Sequence, residues 1–298
     1  MKLHSFTALL VTIGVCVKNC EAVIGDAISS VIHQDFPHEL MEVIFVDDGS
    51  KDNTLLAIRG HLPKLDMQTK IFHHPWKGLG VTRNVVVDNA RGKYIIWVDG
   101  DMLLHKDFVR KQVEFMEINP DVGIGKGKYD LTSQGNLVSD LENMEYAIAN
   151  LRQKGKASSI PLGTGGSIYR VEAIRQAGGF DNKILGVGED MDAEQRISNS
   201  GWLLAVTSAV FREKRRRTWK SLWDEYFWYG RGNSYLVANR NESFDARKLF
   251  FPLILKAELS RVVAAYKQTG RKAALLLPLN YSFKRIAWFF GLISHFSR

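Results

Sequence analysis

Short apolar runs rich in β-branched residues alternate, in the first half of this chain, with segments whose apolar residues recur at helical spacing. The runs cover residues 9–17, 43–46, 70–73, 94–98 and 122–125. Between them the spacing is helical, for example at Ala27, Ile28 and Val31. This alternation over residues 7–127 predicts an α/β fold, with helices on both faces of a mostly parallel sheet. Ligands bind such sheets beyond the carboxyl ends of the strands, so a functional site is expected there.

The rest of the chain is less regular. One helix is predicted over residues 141–154 and another from Glu189 to Gly201, with a glycine-rich stretch at residues 163–166 between them. After Arg212 the composition becomes basic and aromatic. We therefore expect a separate helical region at the end of the chain.

The composition is that of an ordinary globular protein: 298 residues, 45% hydrophobic and 24% charged. It excludes a collagen, a disordered chain and a small disulfide-stapled protein. The net charge of +8 is unevenly distributed, because residues 211–298 carry 18 Lys and Arg against 6 Asp and Glu, while the first 210 residues have a net charge of −4. A slightly acidic body is thus followed by a basic tail suited to an anionic partner.

The two cysteines, Cys16 and Cys20, are spaced four residues apart. That spacing fits neither a CxxC metal-binding pair nor a disulfide framework, and it favours a reducing, cytosolic environment. The apolar stretch at residues 6–17 is similar in length to the core of a signal peptide. It runs into Lys18 without a small-x-small cleavage site, so a buried first strand explains it better.

Two apolar segments near the end, residues 273–283 and 286–296, are shorter than the roughly 18 residues that a spanning helix needs. Pro278 interrupts the first of them. The Trp and Phe residues around them and the many Lys and Arg favour helices that lie in the membrane interface. Helices that pack on the body of an ordinary domain are the alternative.

Two carboxylates follow the strand at residues 94–98, in the turn Asp99-Gly100-Asp101. In an extended segment Asp99 and Asp101 point to the same side, and Gly100 lets a bulky anion approach the backbone. Carboxylate oxygens suit a hard cation such as Mg²⁺ or Mn²⁺ that keeps several water or phosphate ligands. A plain turn whose Asp residues cap the next helix is the alternative.

The strand at residues 43–46 ends in Asp47 and Asp48. An acid in this place can accept hydrogen bonds from a ribose hydroxyl or a base N–H. A dinucleotide-binding oxidoreductase is excluded, because the place of its glycine-rich fingerprint reads Val17-Lys18-Asn19-Cys20-Glu21. Arg83, which follows two glycines, would supply a cation near a diphosphate.

Glu189 and Asp190 open a predicted helix just after Gly186 and Gly188. The field at a helix N-terminus stabilises an ionised carboxylate and keeps it available as a base. Acids are favoured in any first helical turn, so a purely structural role is the alternative.

Together these motifs resemble those of glycosyltransferase family 2, the inverting nucleotide-sugar transferases with the fold called GT-A. The resemblance covers roughly residues 8–235. In chain order the motifs are Lys18-Asn19-x-Glu21; Val46-Asp47-Asp48-Gly49-Ser50-x-Asp52-x-Thr54; Gly80-x-x-x-Arg83-Asn84; Ala90-x-Gly92-x-Tyr94; Asp99-x-Asp101; Gly165-Gly166-Ser167 with Arg170; Gly178-Gly179-Phe180-Asp181; and Gly188-Glu189-Asp190 with Arg196.

The resemblance implies a role for each of these residues. The donor nucleotide would be bound by Glu21, Asp48, Arg83 and Asp99. A divalent cation, Mn²⁺ or Mg²⁺, would be held on the diphosphate by Asp101 with Asp99. Asp190 would be the general base, and the acceptor would lie against Gly165, Gly166 and Glu189.

The expected activity is inverting, metal-dependent transfer of a single sugar from a UDP- or GDP-linked sugar to a hydroxyl or phosphate. A processive polysaccharide synthase is an alternative, but its Q/R-x-x-R-W motif is one residue out of register here, at Arg215-Arg216-Arg217-Thr218-Trp219. A catalytically inactive nucleotide-sugar-binding module would be expected to lose Asp101 or Asp190, and both are present. The phosphate loop of a nucleotidyltransferase is absent after the first strand.

The basic tail carries no nucleic-acid recognition motif, so nucleic acid is not an expected partner. An anionic membrane surface fits its Lys, Arg and aromatic residues better, and it suggests a lipid-linked acceptor such as a polyprenyl or dolichyl phosphate or a lipid-linked glycan. The expected location is the cytoplasmic side of a membrane, peripheral or monotopic. We expect a donor half at residues 1–127, an acceptor half at 128–210 and membrane-associated helices at 211–298.

Overall fold

A computed structural model describes residues 9–151, 162–184, 186–240 and 251–296. Its first half alternates strands and helices as predicted. The elements are β1 (Val11–Val17), α1 (Glu21–Ile32), β2 (Met41–Asp48), α2 (Thr54–His61), β3 (Gln68–His74), α3 (Leu79–Asn89) and β4 (Tyr94–Trp97). Every residue of β2 is buried, which explains why these strands are continuous apolar runs rather than alternating ones.

The elements of the second half are less regular in order. They are β5 (Met102–Leu104), α4 (Phe108–Ile118), β6 (Val122–Tyr129), α5 (Leu137–Leu151), β7 (Ser167–Arg170), α6 (Val171–Gln176), α7 (Glu189–Asn199), β8 (Leu203–Glu213), α8 (Trp219–Arg240), α9 (Phe251–Thr269) and α10 (Leu277–Phe296). The predicted helix at residues 141–154 begins four residues earlier, and its predicted end, Lys154, lies outside the described residues. The helix predicted from Glu189 is confirmed as α7.

The described strands form one sheet in the order β3-β2-β1-β4-β7-β6-β8-β5. Strands β1 to β4 are parallel, whereas β7 runs antiparallel to both β4 and β6, and β5 is antiparallel to β8. The prediction of a mostly parallel sheet is confirmed for the first four strands. The chain steps from β1 to β2 on one side, while β4 lies on the other side of β1. Their carboxyl ends therefore flank a topological switch point, where open α/β sheets bind ligands.

A buried aromatic cluster packs against the end of β4. The ring of Trp97 lies edge-on to Tyr169, with centroids 6.1 Å apart, and edge-on to Phe180, with centroids 5.6 Å apart. All three side chains are buried. Because β4, β7 and the segment before α7 share this cluster, the loops that follow them start from a rigid base.

The chain divides into two compact units. The first consists of Met1–Lys128, Gln153–Leu185 and Glu189–Glu213. It holds the strands of the sheet, from β1 to the end of β8 at Glu213. The second consists of Tyr129–Arg152, Gly186–Gly188 and Lys214–Arg298. The functional division into a donor half, an acceptor half and a membrane-associated tail stays a prediction.

The second unit is helical. Helices α8 and α10 pack backbone to backbone, because Gly230 faces the carbonyl group of Trp288 and Gly291 faces that of Phe227 too closely for any Cβ. The apolar segment at residues 273–283 is divided next to Pro278, because a 3-10 helix at Lys272–Leu276 ends there and α10 begins with Pro278 in its first turn, where a backbone N–H has no intrahelical partner to lose. Within the described residues no helix combines the length and apolar character needed to cross a membrane.

Candidate functional site

The carboxylate of Asp48, at the end of β2, organises the loop between β3 and α3. Its Oδ1 accepts a hydrogen bond from the Lys77 N–H at 2.7 Å, and its Oδ2 accepts one from the Gly78 N–H at 3.1 Å. Gly78 has a φ of 91°, a conformation that favours glycine. Asp48 is buried, so its first role in this structure is to hold the loop that begins α3.

Glu21 joins the loop after β1 to the loop after β2. Its Oε2 accepts the Asn53 N–H at 2.6 Å, and its own N–H donates to Asp52 Oδ2 at 3.1 Å. Asn19, at a φ of 51°, accepts the Lys51 N–H on its side-chain oxygen at 2.8 Å. Burial would raise the pKa of Asp52, but hydrogen bonds from Thr54 and from the Glu21 backbone lower it overall. Glu21 and Asp48 thus lie in neighbouring loops at the switch point.

Arg83 and Glu189 form a buried ion pair between α3 and the first turn of α7, through Arg83 Nη1 and Glu189 Oε1. The family resemblance implied separate roles for these residues, with Arg83 binding the donor and Glu189 binding the acceptor. The guanidinium of Arg83 also lies over the ring of Phe180, 5.7 Å from its centroid. Glu189 Oε2 is buried, and no described residue hydrogen-bonds to it. The pair therefore leaves one carboxylate oxygen available inside the site.

Asp99 and Asp101 form the turn between β4 and β5, in which the Asp99 carbonyl accepts the Met102 N–H at 3.0 Å. Burial raises the pKa of Asp99; nearby Arg83 opposes that rise and the carboxylate of Glu213 adds to it. Gly100 packs against Cys20, where an added Cβ would lie 2.8 Å from the sulfur. The acidic turn therefore lies beside the loop that follows β1, at the switch point.

The glycine-rich loop at residues 163–166 lies against this turn. A Cβ on Gly165 would lie 2.6 Å from Asp99 Oδ2, and a Cβ on Gly166 would overlap the ring of Phe211. Gly166 has a φ of 69°, and its N–H donates to the Trp97 carbonyl at 2.9 Å. Both glycines are needed because the loop passes so close to β4 and β8.

Lys126, on β6, is a buried amine that the sequence did not single out. Its Nζ donates to the carbonyl of Gly165 and, at 3.4 Å, to that of Gly163. Burial lowers its pKa to about 8, while the carboxylates of Glu213, Glu194, Asp99 and Asp190 act in the opposite direction. The strand prediction stopped at Gly125, one residue short of it. Its partners come from distant parts of the sequence, so no local signal marked it.

Glu194 holds the other side of the same loop. Its carboxylate accepts the N–H groups of Leu162 and Gly163, both at 2.7 Å. Burial raises its pKa to about 7, with a further contribution from Asp190, although these two backbone donors oppose the rise. In sequence it is one acid among several on α7, which is why its role was missed.

Asp190 lies in the first turn of α7 and is partly exposed. Its Oδ1 accepts the Met191 N–H at 2.8 Å, and its Oδ2 is 3.7 Å from the place a Cβ on Gly163 would occupy. The structure thus brings together Asp99, Asp190, Lys126 and Glu194 around the glycine-rich loop. A half-exposed carboxylate with one oxygen facing such a loop can accept a proton from a bound hydroxyl.

The described residues contain no group of three or more His, Cys, Asp and Glu side chains that could hold a metal ion. A full protein cage is thus absent from this part of the chain. Asp99 and Asp101 still offer hard oxygen ligands, and burial raises the pKa of Asp99. This donor set fits a cation that takes most of its ligands from water or from a bound diphosphate.

Solved structures with a similar fold are glycosyltransferases. The mannosyltransferase PcManGT from Pyrobaculum calidifontis, in complex with GDP-Man and Mn²⁺, aligns with a TM-score of 0.61 and 19% identity over 96% of this chain and 86% of its own. Residues 1–349 of TarS from Staphylococcus aureus, in complex with UDP-GlcNAc, align with a TM-score of 0.56 and 17% identity over 97% and 92%. The predicted GT-A fold, with helices at the end of the chain, is confirmed.

Curated relatives are also glycosyltransferases. The probable glycosyltransferase YdaM of Bacillus subtilis is 26% identical over 230 residues, which are 74% of this chain and 54% of that protein. The poly(ribitol-phosphate) beta-N-acetylglucosaminyltransferase TarS of S. aureus is 31% identical over 99 residues, 33% of this chain and 17% of TarS. The chain thus spans about half the length of YdaM and less than a fifth of that of TarS.

The family model of glycosyl transferase family 2 matches residues 12–177, which is more than half of the chain. That span includes the loops after β1, β2 and β4 and the glycine-rich loop. The chain therefore belongs to glycosyltransferase family 2.

Proposed function

We propose that this enzyme transfers a single sugar, with inversion, from a nucleotide diphosphate sugar to a hydroxyl or phosphate acceptor in a metal-dependent reaction. The observation that carries the proposal is the convergence of Asp99, Asp190 and Lys126 on the glycine-rich loop at the carboxyl end of β4. Family membership supplies the class of reaction, and this convergence supplies groups for charge balance and proton transfer in one place.

The donor is a UDP- or GDP-linked sugar, which binds at the switch point between β1 and β4. Neighbouring structures with this fold hold GDP-Man or UDP-GlcNAc. Asp48 and Glu21 shape this pocket through the loops they hold, and their carboxylates keep lone pairs free for a base or ribose, since a carboxylate has about four acceptor sites. Arg83 lies near the diphosphate, with its charge partly offset by Glu189.

Asp101 and Asp99 would hold Mn²⁺ or Mg²⁺ against the diphosphate. A divalent cation there would neutralise charge on the leaving nucleotide. The residues of the chain assist in the same direction, because Arg83 and Lys126 bring two further positive charges close to Asp99.

Asp190 acts as the general base. The acceptor oxygen attacks the anomeric carbon from the side opposite the diphosphate, the carbon–oxygen bond to the diphosphate breaks, and the acceptor proton passes to Asp190. A base in this position typically contributes about 10²- to 10⁴-fold in rate. Gly165 and Gly166 border the acceptor, and the buried Glu189 Oε2 is available to a second acceptor hydroxyl.

The acceptor is lipid-linked, for example a polyprenyl or dolichyl phosphate or a lipid-linked glycan on the cytoplasmic side of a membrane. The support is the excess of 18 basic over 6 acidic residues in positions 211–298. Each Lys or Arg near an anionic membrane contributes on the order of 1 kcal/mol to docking, which brings the enzyme to such an acceptor.

Thermal shift and donor hydrolysis test this function. UDP-glucose, UDP-GlcNAc and GDP-mannose are each added with MnCl₂, MgCl₂ or EDTA. A correct donor at about 100 times its Kd should stabilise the protein by about 2.7 kcal/mol, and only with metal. Asp190→Asn should keep this shift and lose hydrolysis, whereas Asp101→Asn should lose the metal-dependent part of the shift. Asp66→Asn, at a residue with a 70% exposed side chain, is the matched control.

Normal hydrolysis by Asp190→Asn would show that another group is the base. A metal-independent shift that survives in Asp101→Asn would remove the cation from the mechanism. Active donors are then tested with polyprenyl phosphate in detergent, and inverted stereochemistry is read from the anomeric proton coupling of the product.

A further inference from the structure

Helix α10 buries two polar side chains beside the apolar residues Leu277, Ala287 and Leu292, and it exposes several large apolar ones. Its buried side carries Asn280 and Lys284, which are 0% and 3% exposed. Its outer side carries Leu279, Ile286 and Phe290, which are 63%, 51% and 48% exposed. A helix that meets only water on its outer side shows the opposite arrangement, with apolar residues inside and polar ones outside.

The buried side is fixed by a polar network within the second unit. Lys284 Nζ donates to Glu142 Oε1 at 2.8 Å and to Glu145 Oε2 at 2.7 Å, both on α5. Asn280 Nδ2 donates to Glu142 Oε1 at 2.7 Å. Rotating α10 to bury Leu279, Ile286 and Phe290 would leave these charges without partners, at a large cost. The outward orientation of the apolar side is therefore specified by the fold.

The apolar side forms one continuous stripe. It continues from Leu275, just before α10, to Ile293, with exposures of 65% and 38%. Residues 279, 286, 290 and 293 follow the three- and four-residue spacing of one helix face. A contiguous exposed apolar stripe of this length marks a surface that binds something apolar.

Trp223 of α8 borders the stripe. Its ring lies 6.0 Å from that of Phe290, and Trp228 of the same helix is 47% exposed. Trp side chains are enriched at membrane–water interfaces, because the indole has an apolar body and a polar N–H. The close crossing of α8 and α10 at Gly230 and Gly291 keeps both sets of side chains on one helix pair.

The charge of this region selects among possible occupants. From residue 251 to the end the sequence has eight Lys and Arg and a single acid, Glu258. Lys284 is paired inside the unit with Glu142 and Glu145, whereas Lys267 and Lys272 are exposed and contribute to the surface charge. A second copy docked through the same face would bring these like charges together, because a two-fold interface pairs a surface with itself. A bilayer containing anionic lipid instead satisfies the basic residues and the apolar stripe together.

We propose that the stripe formed by Leu275, Leu279, Ile286, Phe290 and Ile293 inserts into the headgroup region of an anionic phospholipid bilayer, with α10 lying in the membrane plane. This deepens, and rests on, the proposed action on a membrane-held acceptor. The docking face lies on α10, whereas the reacting groups lie in the first unit.

Vesicle sedimentation with the full chain tests the proposal. Vesicles of phosphatidylcholine alone are compared with vesicles containing about one-third phosphatidylglycerol, a composition chosen to give a strong negative surface potential. Wild type should sediment with the anionic vesicles in low salt and be released by high salt. The double variant Leu279→Gln/Ile286→Gln should bind at least about tenfold more weakly, since it removes two apolar groups from the bilayer.

Leu56→Gln and Ile118→Gln are matched controls, because these residues of the first unit are 68% and 72% exposed, and both variants should bind as wild type does. Circular dichroism establishes that the α10 variant is folded. A second variant, Lys267→Gln/Lys272→Gln, should weaken binding to anionic vesicles only.

Wild type that stays in the supernatant, or an α10 variant that binds as well as wild type, would overturn the proposal. So would a concentration-dependent dimer that the α10 variant abolishes, because the stripe would then cover a second copy. Donor hydrolysis is measured in parallel without vesicles and should be unchanged in the α10 variant. Wild type that hydrolyses the donor but does not sediment with anionic vesicles refutes only this inference, whereas absence of hydrolysis in wild type refutes only the proposed function.

Discussion

Arg83 and Glu189 are 106 residues apart in the sequence and form an ion pair whose side chains are 7% and 2% exposed. The pair joins α3, which follows the donor-side loops, to the first turn of α7, which carries Asp190. Removing one partner would leave the other charge buried and unbalanced. The two sides of the site are therefore held together by one charge–charge contact.

We expect Glu189→Gln to lower the free energy of unfolding by about 3–5 kcal/mol, because it leaves the Arg83 guanidinium buried without its ion-pair partner. The double variant Arg83→Met/Glu189→Leu should recover most of this loss, since it buries no charge. Urea denaturation measures both. A loss below about 1 kcal/mol in Glu189→Gln would show that the pair is exposed to water.

Gly166→Ala should destabilise the protein more than Gly178→Ala does. Both glycines have positive φ, 69° and 81°, so both variants bear backbone strain of about 1–3 kcal/mol. Only at Gly166 would the new methyl group overlap a side chain, that of Phe211, whereas nothing lies within 4 Å at Gly178. Thermal unfolding should show that Gly166→Ala loses about 1–3 kcal/mol more of the free energy of unfolding than Gly178→Ala does. Equal losses would contradict the tight packing of this loop.

Glu194 should make stability depend on pH. Its folded-state pKa is raised from 4.5 to about 7, so its contribution is complete below pH 4.5 and is lost as the pH rises through 7. The size of that loss is about 3 kcal/mol. Denaturant titrations between pH 4.5 and 8 should show the free energy of unfolding of wild type falling relative to that of Glu194→Gln. A constant difference between the two proteins would refute the raised pKa.

Lys126→Met should reduce kcat/KM by about 10- to 100-fold, equivalent to about 1.4–2.7 kcal/mol of transition-state stabilisation. The variant keeps the side-chain volume but removes the donor to the Gly163 and Gly165 carbonyl groups. Lys93→Met, at a lysine with a 48% exposed side chain, is the control and should leave kcat/KM unchanged. Steady-state kinetics with the active donor measures both, and an unchanged kcat/KM in Lys126→Met would remove this amine from the site.

The parallel part of the sheet could be read from the sequence because burial on both faces demands uninterrupted apolar runs. In the antiparallel part only β6 was predicted, through the run at residues 122–125. Strand β8 alternates buried and exposed residues, and it ends in Phe211, Arg212 and Glu213, which carry no strong strand signal. Its position depends on pairing with β5, a contact that no local pattern encodes.

Motif order predicted which residues lie near the site, but not what each one contacts. Asp48 was expected to bind a nucleotide, and in the structure its carboxylate is engaged by the N–H groups of Lys77 and Gly78. Lys126 and Glu194 were missed because a buried charged group is stabilised by partners that only the fold supplies. The roles of Lys126 and Glu194 therefore become visible only in the three-dimensional structure.

The pairing of β4 with β7 has a consequence for synthesis of the chain. It joins Tyr94 to Arg170, 76 residues later, whereas the pairs β1–β2 and β2–β3 consist of strands that follow each other directly in sequence. During translation the nearby strands are complete before the distant ones exist. A chain halted before β7 would have the loops around Asp48 but no Asp190, so on the proposed roles it could sequester a nucleotide sugar without consuming it.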